Sequence, residues 1–425
     1  MTLAEENFLS DEFVRQLTAA GEVDILVGIP TLNNCGTIEQ VVNAVQVGLV
    51  KYFPRERTAL INPDGGSSDG TPEIVKNASI RDFRSLLSTT PLRTTHRITA
   101  SYRPNNGMGG ALRIILAAAD LLRAKACAIV SPDLESITPE WIEGLVRPIY
   151  KEKFDLVTPI YHRHKFDGLL IKNIIAPMIR ALYGVRIREP VGGEFALSGR
   201  LACHYLEQDV WREEVAHSGT EIWMTTSAVV DGFKVCQSFL GPKSHAPKSS
   251  AQNIVGTIQR VVGALFRCME IQESYWLSRT ETQPVPVFGF EYSSGLEPRR
   301  LNRKKMFLMF QNGVDQLAHL LESILSPETL KDIQAISQSD ERTFHFPEEL
   351  WVKTIYEFAA SYHHTVINRD HLLQALTPLY RGKICSVLLE EQRADAEQIE
   401  KKLEDLCQQY EKLKPRLTER WTEKA

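Results

Sequence analysis

Two periods of apolar and polar positions alternate along the first half of the chain. Short apolar runs, most of them closed by proline, predict buried strands at residues 24–30, 58–64, 97–103, 127–130 and 156–161. Between these runs, apolar residues recur every three or four positions, which predicts helices after Thr37, after Thr71 and over 111–124. Strands that alternate with helices favour a mostly parallel, doubly wound sheet. We therefore predict an α/β domain over residues 1–270.

The second half of the sequence keeps a helical period. Apolar residues repeat at helical spacing within 258–266, 307–325, 350–360 and 372–389. The highly charged end, 388–425, with a sparse stripe of Leu403, Leu406 and Leu413, is expected to be a solvated helix or a partner helix. These features predict a C-terminal helical domain over residues 271–425. Its apolar stripes need cover, either from the first domain or from a second copy in a homodimer.

Polar loops containing glycine or proline follow three of the predicted strands, at 30–36, 63–70 and 131–136. The carboxyl ends of parallel strands meet along one edge of a sheet, where open α/β folds hold ligands. Asp64 is placed there to accept hydrogen bonds from a base or ribose, and Gly65 lets backbone approach a ligand closely. For each loop taken by itself, ordinary turn chemistry is the alternative that the residues favour. The chain has no Walker motif, and no GxGxxG follows the first strand.

Asp133 is a candidate metal ligand. Pro132 forces the chain out of the sheet immediately before it, so the carboxylate lies at a strand's carboxyl end. Mg²⁺ and Mn²⁺ take carboxylate oxygens together with substrate phosphates. His245, in a loop between two prolines, can supply an imidazole nitrogen to such an ion. The open alternatives are that Asp133 only caps a turn and that His245 is only exposed.

Three later positions have residue types suited to binding an anion or to acid–base chemistry. Arg163 lies in the basic cluster 162–165 after the fifth strand, and its guanidinium matches a carboxylate or phosphate in a bidentate manner. A solvated surface patch is the alternative for that cluster. Glu194 follows two glycines in the turn 190–195, and Glu221 favours the start of a helix.

Composition narrows the classes of function. A chain of 425 residues is too long for a typical single core, so at least two domains are expected. The net charge of −4 provides no field that attracts nucleic acid or an anionic membrane. Seven scattered cysteines without a CxxC pair fit reduced thiols. With no apolar run of 18 residues and no basic region in Met1–Asn7, we expect a cytoplasmic protein without a membrane span.

Six motifs follow one another in a fixed order. They are Pro30-Thr31-Leu32-Asn33, Asp64-Gly65-Gly66-Ser67-Ser68-Asp69-Gly70-Thr71, Gly107-Met108-Gly109-Gly110-Ala111-Leu112-Arg113, Ser131-Pro132-Asp133, Pro190-Val191-Gly192-Gly193-Glu194 and Lys243-Ser244-His245. In order and spacing the series resembles the GT-A glycosyltransferases, and within them the retaining mannosylglycerate, glucosylglycerate and glucosyl-3-phosphoglycerate synthases. The resemblance covers roughly residues 22–270. It implies a Rossmann-like domain that binds a nucleotide sugar.

The resemblance also implies roles for single residues. The nucleotide would be bound by Pro30, Thr31, Leu32, Asn33, Asp64, Gly107, Met108 and Gly109. Mg²⁺ or Mn²⁺ would be held by Asp133 and His245, and the acceptor by Arg163, Gly192 and Gly193. Glu194 and Glu221 would lie at the reaction centre.

Two positions depart from the family pattern. Ser131 replaces the first aspartate of the metal-binding DxD, and Met108 replaces the lysine of Gly-Lys-Gly. The implied activity is transfer of a hexose, with retention, from a nucleoside diphosphate sugar to a small anionic acceptor such as glycerate. Transfer to 3-phosphoglycerate or another acceptor is the alternative within that class. A catalytically silent nucleotide-sugar-binding protein is the alternative outside it.

Overall fold

The computed structural model describes residues 8–78, 95–102, 107–212, 219–245, 254–290 and 302–423. Several predicted pieces lie outside these ranges: the strand end at Arg103, the turn at 105–106, the loop at 246–247 and residues 291–298 of the linker 283–298. The chain packs as two units. The sheet unit comprises Met1–His162, Glu189–Lys248 and Val285–Gly295, and the helical unit comprises Arg163–Arg188, Ser249–Pro284 and Leu296–Ala425. The domain boundary expected near residue 270 stays a prediction.

Ten strands form within the described residues. In chain order they are β1 Ile25–Gly28, β2 Thr58–Asp64, β3 His96–Ser101, β4 Ala126–Ile129, β5 Leu156–His162, β6 Val185–Arg186, β7 Phe195–Ser198, β8 Val235–Pro242, β9 Gln283–Pro284 and β10 Val287–Phe288. Eight of them build the sheet of the sheet unit, in the order β10-β8-β5-β7-β4-β1-β2-β3. β6 and β9 pair with each other in the helical unit.

The sheet is mostly parallel, as predicted. β1 runs parallel to β2 and to β4, and β5 runs parallel to β8. β7 is the exception, because it lies antiparallel between β4 and β5. β7 was not predicted, because four residues next to a glycine turn are too few to establish a period. β8 was not predicted either.

Both faces of the sheet are covered by helices. The helices of the sheet unit are Asp11–Ala20, Ile38–Tyr52, Thr71–Asn77, Gly107–Leu121, Pro139–Tyr150, Gly199–Leu206 and Thr220–Val230. On one face, alternate residues of β1 such as Ile25 and Val27 join a buried cluster with Val41 and Leu145. On the other face, a Cβ on Gly28 would lie only 2.5 Å from Ile115, so the helix approaches the strand backbone directly. This two-sided burial explains the nearly continuous apolar runs of the strands.

The helical pattern of the second half is confirmed. The helical unit contains a π-helical turn at Ile171–Ile175 and the α-helices Ala176–Tyr183, Ile254–Ile271, Glu273–Leu277, Arg303–Gln316, Ala318–Ile324, Pro327–Ser337, Glu348–His363, Arg369–Glu390 and Ala396–Thr422. No helix within the described ranges is long and apolar enough to cross a bilayer.

The last helix, Ala396–Thr422, is not the solvated helix that was expected. One face carries Leu406, Tyr410, Leu417 and Trp421, all of them buried. The Tyr410 hydroxyl also donates to the carbonyl of Asn173 at 2.9 Å. The buried stripe continues through aromatic residues, so leucine spacing alone underestimates it.

Candidate active site

The loops that follow β1 and β2 are held together by Asp64. This carboxylate is only 4% exposed. One oxygen accepts from the hydroxyls of Thr31 (2.8 Å) and Ser67 (2.6 Å), and the other accepts from the N–H groups of Gly66 (2.9 Å) and Ser67 (2.8 Å). A carboxylate offers about four acceptor positions, so these loops fill the capacity of Asp64. Its contact with a base or ribose stays a prediction.

The predicted nucleotide stretch 30–33 divides into a buried and an exposed half. Pro30 and Thr31 are buried, whereas Leu32 and Asn33 are exposed. Asn33 has a left-handed backbone with φ of 55°, which asparagine tolerates better than most residues. Its N–H donates to the Ser67 hydroxyl at 2.8 Å, so the exposed half is also tied to the loop after β2.

Thr37 links the loop after β1 to the loop that carries Asp133. Thr37 is the N-cap residue of the helix Ile38–Tyr52, but its hydroxyl accepts no bond from the helix N-terminus. The hydroxyl instead donates to the carbonyl of Pro132 at 2.7 Å. All three predicted carboxyl-end loops are therefore joined by hydrogen bonds.

The Gly107-Met108-Gly109 segment forms the first turn of the helix Gly107–Leu121. Gly107 has φ of 58°, Gly109 is buried, and Met108 is 46% exposed. Helix N-termini present unpaired N–H groups that favour anions. The methionine adds no charge to them, so phosphate binding here would depend on backbone alone.

Asp133 and His245, which are 112 residues apart in sequence, are neighbours in the structure. An antiparallel bridge pairs Leu134 with His245, and the Glu135 N–H donates to the carbonyl of Ser244 at 3.1 Å. Leu134 is fully buried and anchors this pairing. As a result, Asp133 Oδ1 lies 3.1 Å from His245 Nδ1.

This separation suits two ligands of one divalent cation. Adjacent ligands of an octahedral Mg²⁺ at its usual bond length are about 3.0 Å apart. Both side chains are partly exposed, at 17% for Asp133 and 35% for His245. No group of three or more metal-binding side chains occurs among the residues that the structure describes. The pair therefore fits an ion whose other ligands come from water and substrate phosphates, as is usual for Mg²⁺.

Glu194 is fully buried beside two residues that the sequence reasoning did not assign to the site. Its Oε2 accepts from the Tyr161 hydroxyl and from Lys243 Nζ, the latter at 2.5 Å. Lys243 is itself buried, with 5% of its side chain exposed, and also donates to the carbonyl of Gly192. Within the described part of the chain, Glu194 Oε1 has no hydrogen-bond partner. The position of Lys243, two residues before His245, was the only sequence signal for its role.

The two glycines before Glu194 are needed for close packing inside the protein. A Cβ on Gly192 would lie 2.2 Å from Pro159, a residue of β5. Gly193 has φ of 83°, and a Cβ there would lie 3.0 Å from the Ser131 hydroxyl. That hydroxyl in turn lies 3.4 Å from the Gly193 carbonyl, to which it donates. The predicted contact of these glycines with the acceptor stays a prediction.

Glu221 completes this cluster from the first turn of the helix Thr220–Val230. Its burial raises the pKa of the carboxyl to about 7. Lys243 and the Gly193 N–H lower this pKa, whereas the nearby Glu194 raises it further. A carboxyl with such a pKa exchanges a proton near neutrality, which is a frequent property of catalytic groups.

The basic cluster 162–165 divides between the two units. His162 ends β5, while Arg163 and Lys165 belong to the helical unit. The Lys165 ammonium donates to the carbonyls of Glu391, Gln392 and Ala394 at 2.7, 3.0 and 3.2 Å. These bonds use all three of its donors, so Lys165 closes the end of a helix. The role of Arg163 as an acceptor ligand stays a prediction.

Residues 26–197 match the family model described as Glycosyl transferase family 2. This stretch of the chain is similar to the family 2 glycosyltransferases. The matched stretch includes Asp64, Asp133 and Glu194 and ends before Glu221 and His245. With the mostly parallel sheet and its flanking helices, the match confirms the GT-A fold that was predicted, followed by a helical C-terminal region.

Similar solved structures include glucosyl-3-phosphoglycerate synthase from Mycobacterium tuberculosis in two complexes. The complex with Mn²⁺, UDP and phosphoglyceric acid is 22% identical, has a TM-score of 0.40, and covers 60% of this chain and 82% of its own. The complex with Mg²⁺ and UDP is 22% identical, has a TM-score of 0.42, and covers 60% and 83%. A structure described as a mycobacterial protein is 24% identical, with a TM-score of 0.40 and coverage of 60% and 78%. No curated protein matches the chain significantly.

Proposed function

We propose that the chain is a metal-dependent, retaining glycosyltransferase that moves a hexose from a nucleoside diphosphate sugar to a small acid, with glycerate as the first candidate. The observation that carries the proposal is the 3.1 Å approach of Asp133 and His245 at the loop edge of the glycosyltransferase sheet. These two residues would hold Mg²⁺ or Mn²⁺ beside the donor diphosphate. The bound ion would act as a Lewis acid on the leaving oxygen, where negative charge develops.

The other residues of the site contribute positioning and proton exchange. Asp64 and Thr37 connect the loops after β1, β2 and β4, so that a nucleotide meets a surface that is already ordered. Holding donor and acceptor in a reactive geometry can supply a large part of the rate. Glu221, with its pKa near 7, is suited to exchange a proton with the acceptor hydroxyl.

The burial of Glu194 bears on how the stereochemistry would be retained. A retaining hydrolase uses a carboxylate nucleophile that reaches the anomeric carbon. Glu194 has no solvent exposure and is engaged by Lys243, so it is poorly placed for that attack. This arrangement favours attack by the acceptor hydroxyl on the same face as the leaving group, without a glycosyl-enzyme intermediate.

Two alternatives remain specific enough to test. Transfer to 3-phosphoglycerate would need additional cations, and the three carbonyls around Lys165 remove that residue from consideration. His162 and His164 are then the remaining residues of the basic cluster 162–165, besides Arg163, that are candidates to bind the phosphate. A silent nucleotide-sugar-binding protein is motivated by Ser131 and Met108, which replace residues of the family pattern.

The deciding experiment is a screen of UDP-, GDP- and ADP-sugars against glycerate and 3-phosphoglycerate, with and without Mn²⁺, read by mass spectrometry. We expect one pair to give product only with metal. Asp133→Asn should then lower turnover by at least about 100-fold, because several kcal/mol of charge stabilisation are lost. Glu135→Gln, which changes an exposed carboxylate two residues away, is the matched control and should stay within about twofold of wild type.

Full activity of Asp133→Asn would refute the assignment of Asp133 as a metal ligand. Nucleotide binding without product from any pair would favour the silent protein instead.

A further inference from the structure

We propose that Lys243 is a positioning residue of the transfer reaction, which holds Glu194 and the Gly192-Gly193 turn in place and does not bind the donor diphosphate. The inference rests on the proposed function. The order of motifs along the sequence does not distinguish between holding Glu194 and binding the donor diphosphate. The contacts of the Lys243 ammonium distinguish these two roles.

The ammonium of Lys243 contacts three groups inside the sheet unit. It donates to Glu194 Oε2 at 2.5 Å and to the carbonyl of Gly192, and it lies 4.4 Å from the centroid of the Tyr161 ring. Lysine has three N–H donors, and an aromatic face attracts a cation at this distance. With 5% of the side chain exposed, little of it meets solvent.

The contacts connect three segments that are distant in sequence. Lys243 follows β8, and its N–H donates to the carbonyl of His162 at the end of β5 at 3.2 Å. Its side chain reaches Tyr161 in β5 and the turn before β7. The same turn presents the Gly193 N–H to the Glu221 carboxylate. Loss of the ammonium would therefore release a turn that orients both carboxylates of the cluster.

Binding of the diphosphate by Lys243 would require the buried ion pair to break. Glu194 has no solvent exposure, and its Oε1 already lacks a partner within the described residues. Removing the cation would leave an uncompensated buried carboxylate, which is strongly unfavourable. We therefore assign Lys243 to contacts with other protein groups and not to a contact with the donor diphosphate.

The test compares Lys243→Met, Glu194→Gln and the double variant, using kcat, donor KM and the calorimetric affinity for the nucleoside diphosphate. We expect Lys243→Met to lower kcat about 100-fold, the effect of a small misplacement of reacting groups. Donor KM and nucleotide affinity should stay within about twofold of wild type. Because both residues act through one contact, the double variant should be no slower than the slower single variant.

Lys383→Met is the matched control in the helical unit. Lys383 is 1% exposed and likewise donates to one carboxylate, Glu348 at 2.7 Å, and to one carbonyl, that of Phe346 at 3.4 Å. Its loss should lower the melting temperature, while kcat of the folded protein stays within about twofold of wild type. Lys243→Arg, which keeps the charge, should recover part of the lost kcat.

Several outcomes would overturn the assignment. A tenfold or larger loss of nucleotide affinity in Lys243→Met would place the ammonium on the diphosphate. Effects that multiply in the double variant would show that Lys243 does not act through Glu194. An unchanged kcat would make the pair purely structural. If Lys243→Met does not fold, the double variant, which removes the stranded charge, is compared with Glu194→Gln alone. A wild-type chain that turns over no donor would overturn the proposed function, and this role with it.

Discussion

The two units each bury a glutamate completely, and they treat it differently. Glu357 in the helical unit and Glu194 in the sheet unit both have no solvent exposure. Glu357 accepts four hydrogen bonds, from the N–H and hydroxyl of Ser326 and from the side chains of Thr329 and Arg416, and forms an ion pair with Arg420, all between 2.8 and 3.0 Å. Glu194 is engaged through one oxygen only in the described structure, and its other oxygen has no partner.

This difference indicates what each unit does with buried charge. In the helical unit, Glu357 joins helices that are distant in sequence, as does Arg180 with Glu404 and Glu411 at 2.6 and 3.0 Å. Such networks between distant helices specify one packing arrangement. At the sheet edge, an unfilled acceptor and a carboxyl with a pKa near 7 retain a capacity for binding or proton exchange.

Lys414 is an exception to this difference between the units, because it is a helical-unit residue with a shifted pKa. Burial lowers the pKa of this helical-unit lysine to about 8. Its ammonium donates to the carbonyl of Arg279 at 2.6 Å.

The largest effect should come from breaking the network of hydrogen bonds and ion pairs around Glu357. Glu357→Gln removes the charge that faces Arg416 and Arg420, and we expect the free energy of unfolding to fall by about 3–5 kcal/mol. Urea unfolding measures that loss, and kcat of the folded fraction should be unchanged. Glu194→Gln should instead remove most of the turnover. Equal losses of kcat in the two variants would contradict the division between the units.

The next largest effect concerns the acceptor. Arg163→Ala should remove a charge-assisted hydrogen bond worth about 1.5–3 kcal/mol, which is roughly 10- to 150-fold in acceptor use. Nucleotide affinity should stay close to wild type. Kinetics with glycerate and calorimetry of the nucleotide test the two statements separately. Unchanged acceptor kinetics would exclude this role and favour a neutral acceptor.

A third effect is a pH dependence of stability that arises from Glu221 in the sheet unit. Burial raises the pKa of Glu221 from 4.5 to about 7. Between these values the unfolded chain loses the proton and the folded chain keeps it, so this contribution to stability is lost as pH rises. Glu221→Gln should match wild type at pH 4 and be more stable at pH 8, in unfolding curves at both values. Equal differences at both pH values would refute the raised pKa.

The smallest effect should come from Lys165. Lys165→Met removes hydrogen bonds to three carbonyls at the end of the helix Arg369–Glu390, at a cost of about 1 kcal/mol in stability. Kinetics with glycerate and with 3-phosphoglycerate should not change. Lys401→Met, at an exposed position, is the control for the stability measurement. A selective loss of activity with 3-phosphoglycerate would return Lys165 to the acceptor site.

The sequence by itself determined the parallel strands, most of their helices and the edge at which the polar loops meet. Local periodicity is sufficient for this, because a strand buried on both faces is apolar along most of its length. The run before Asp133 and the run 58–64 show this feature, and β4 and β2 form at these positions. β4 ends before Pro132, whereas β2 continues through Pro63 to Asp64.

Only the tertiary structure decided which distant residues meet. The approach of His245 to Asp133 depends on a bridge across 112 residues, and the position of β7 between β4 and β5 depends on strand order. The Lys243–Glu194 pair and the buried face of the last helix likewise depend on contacts between segments distant in sequence. Such pairings are set by packing between segments distant in sequence, and a periodicity that describes one segment contains no information about its partner.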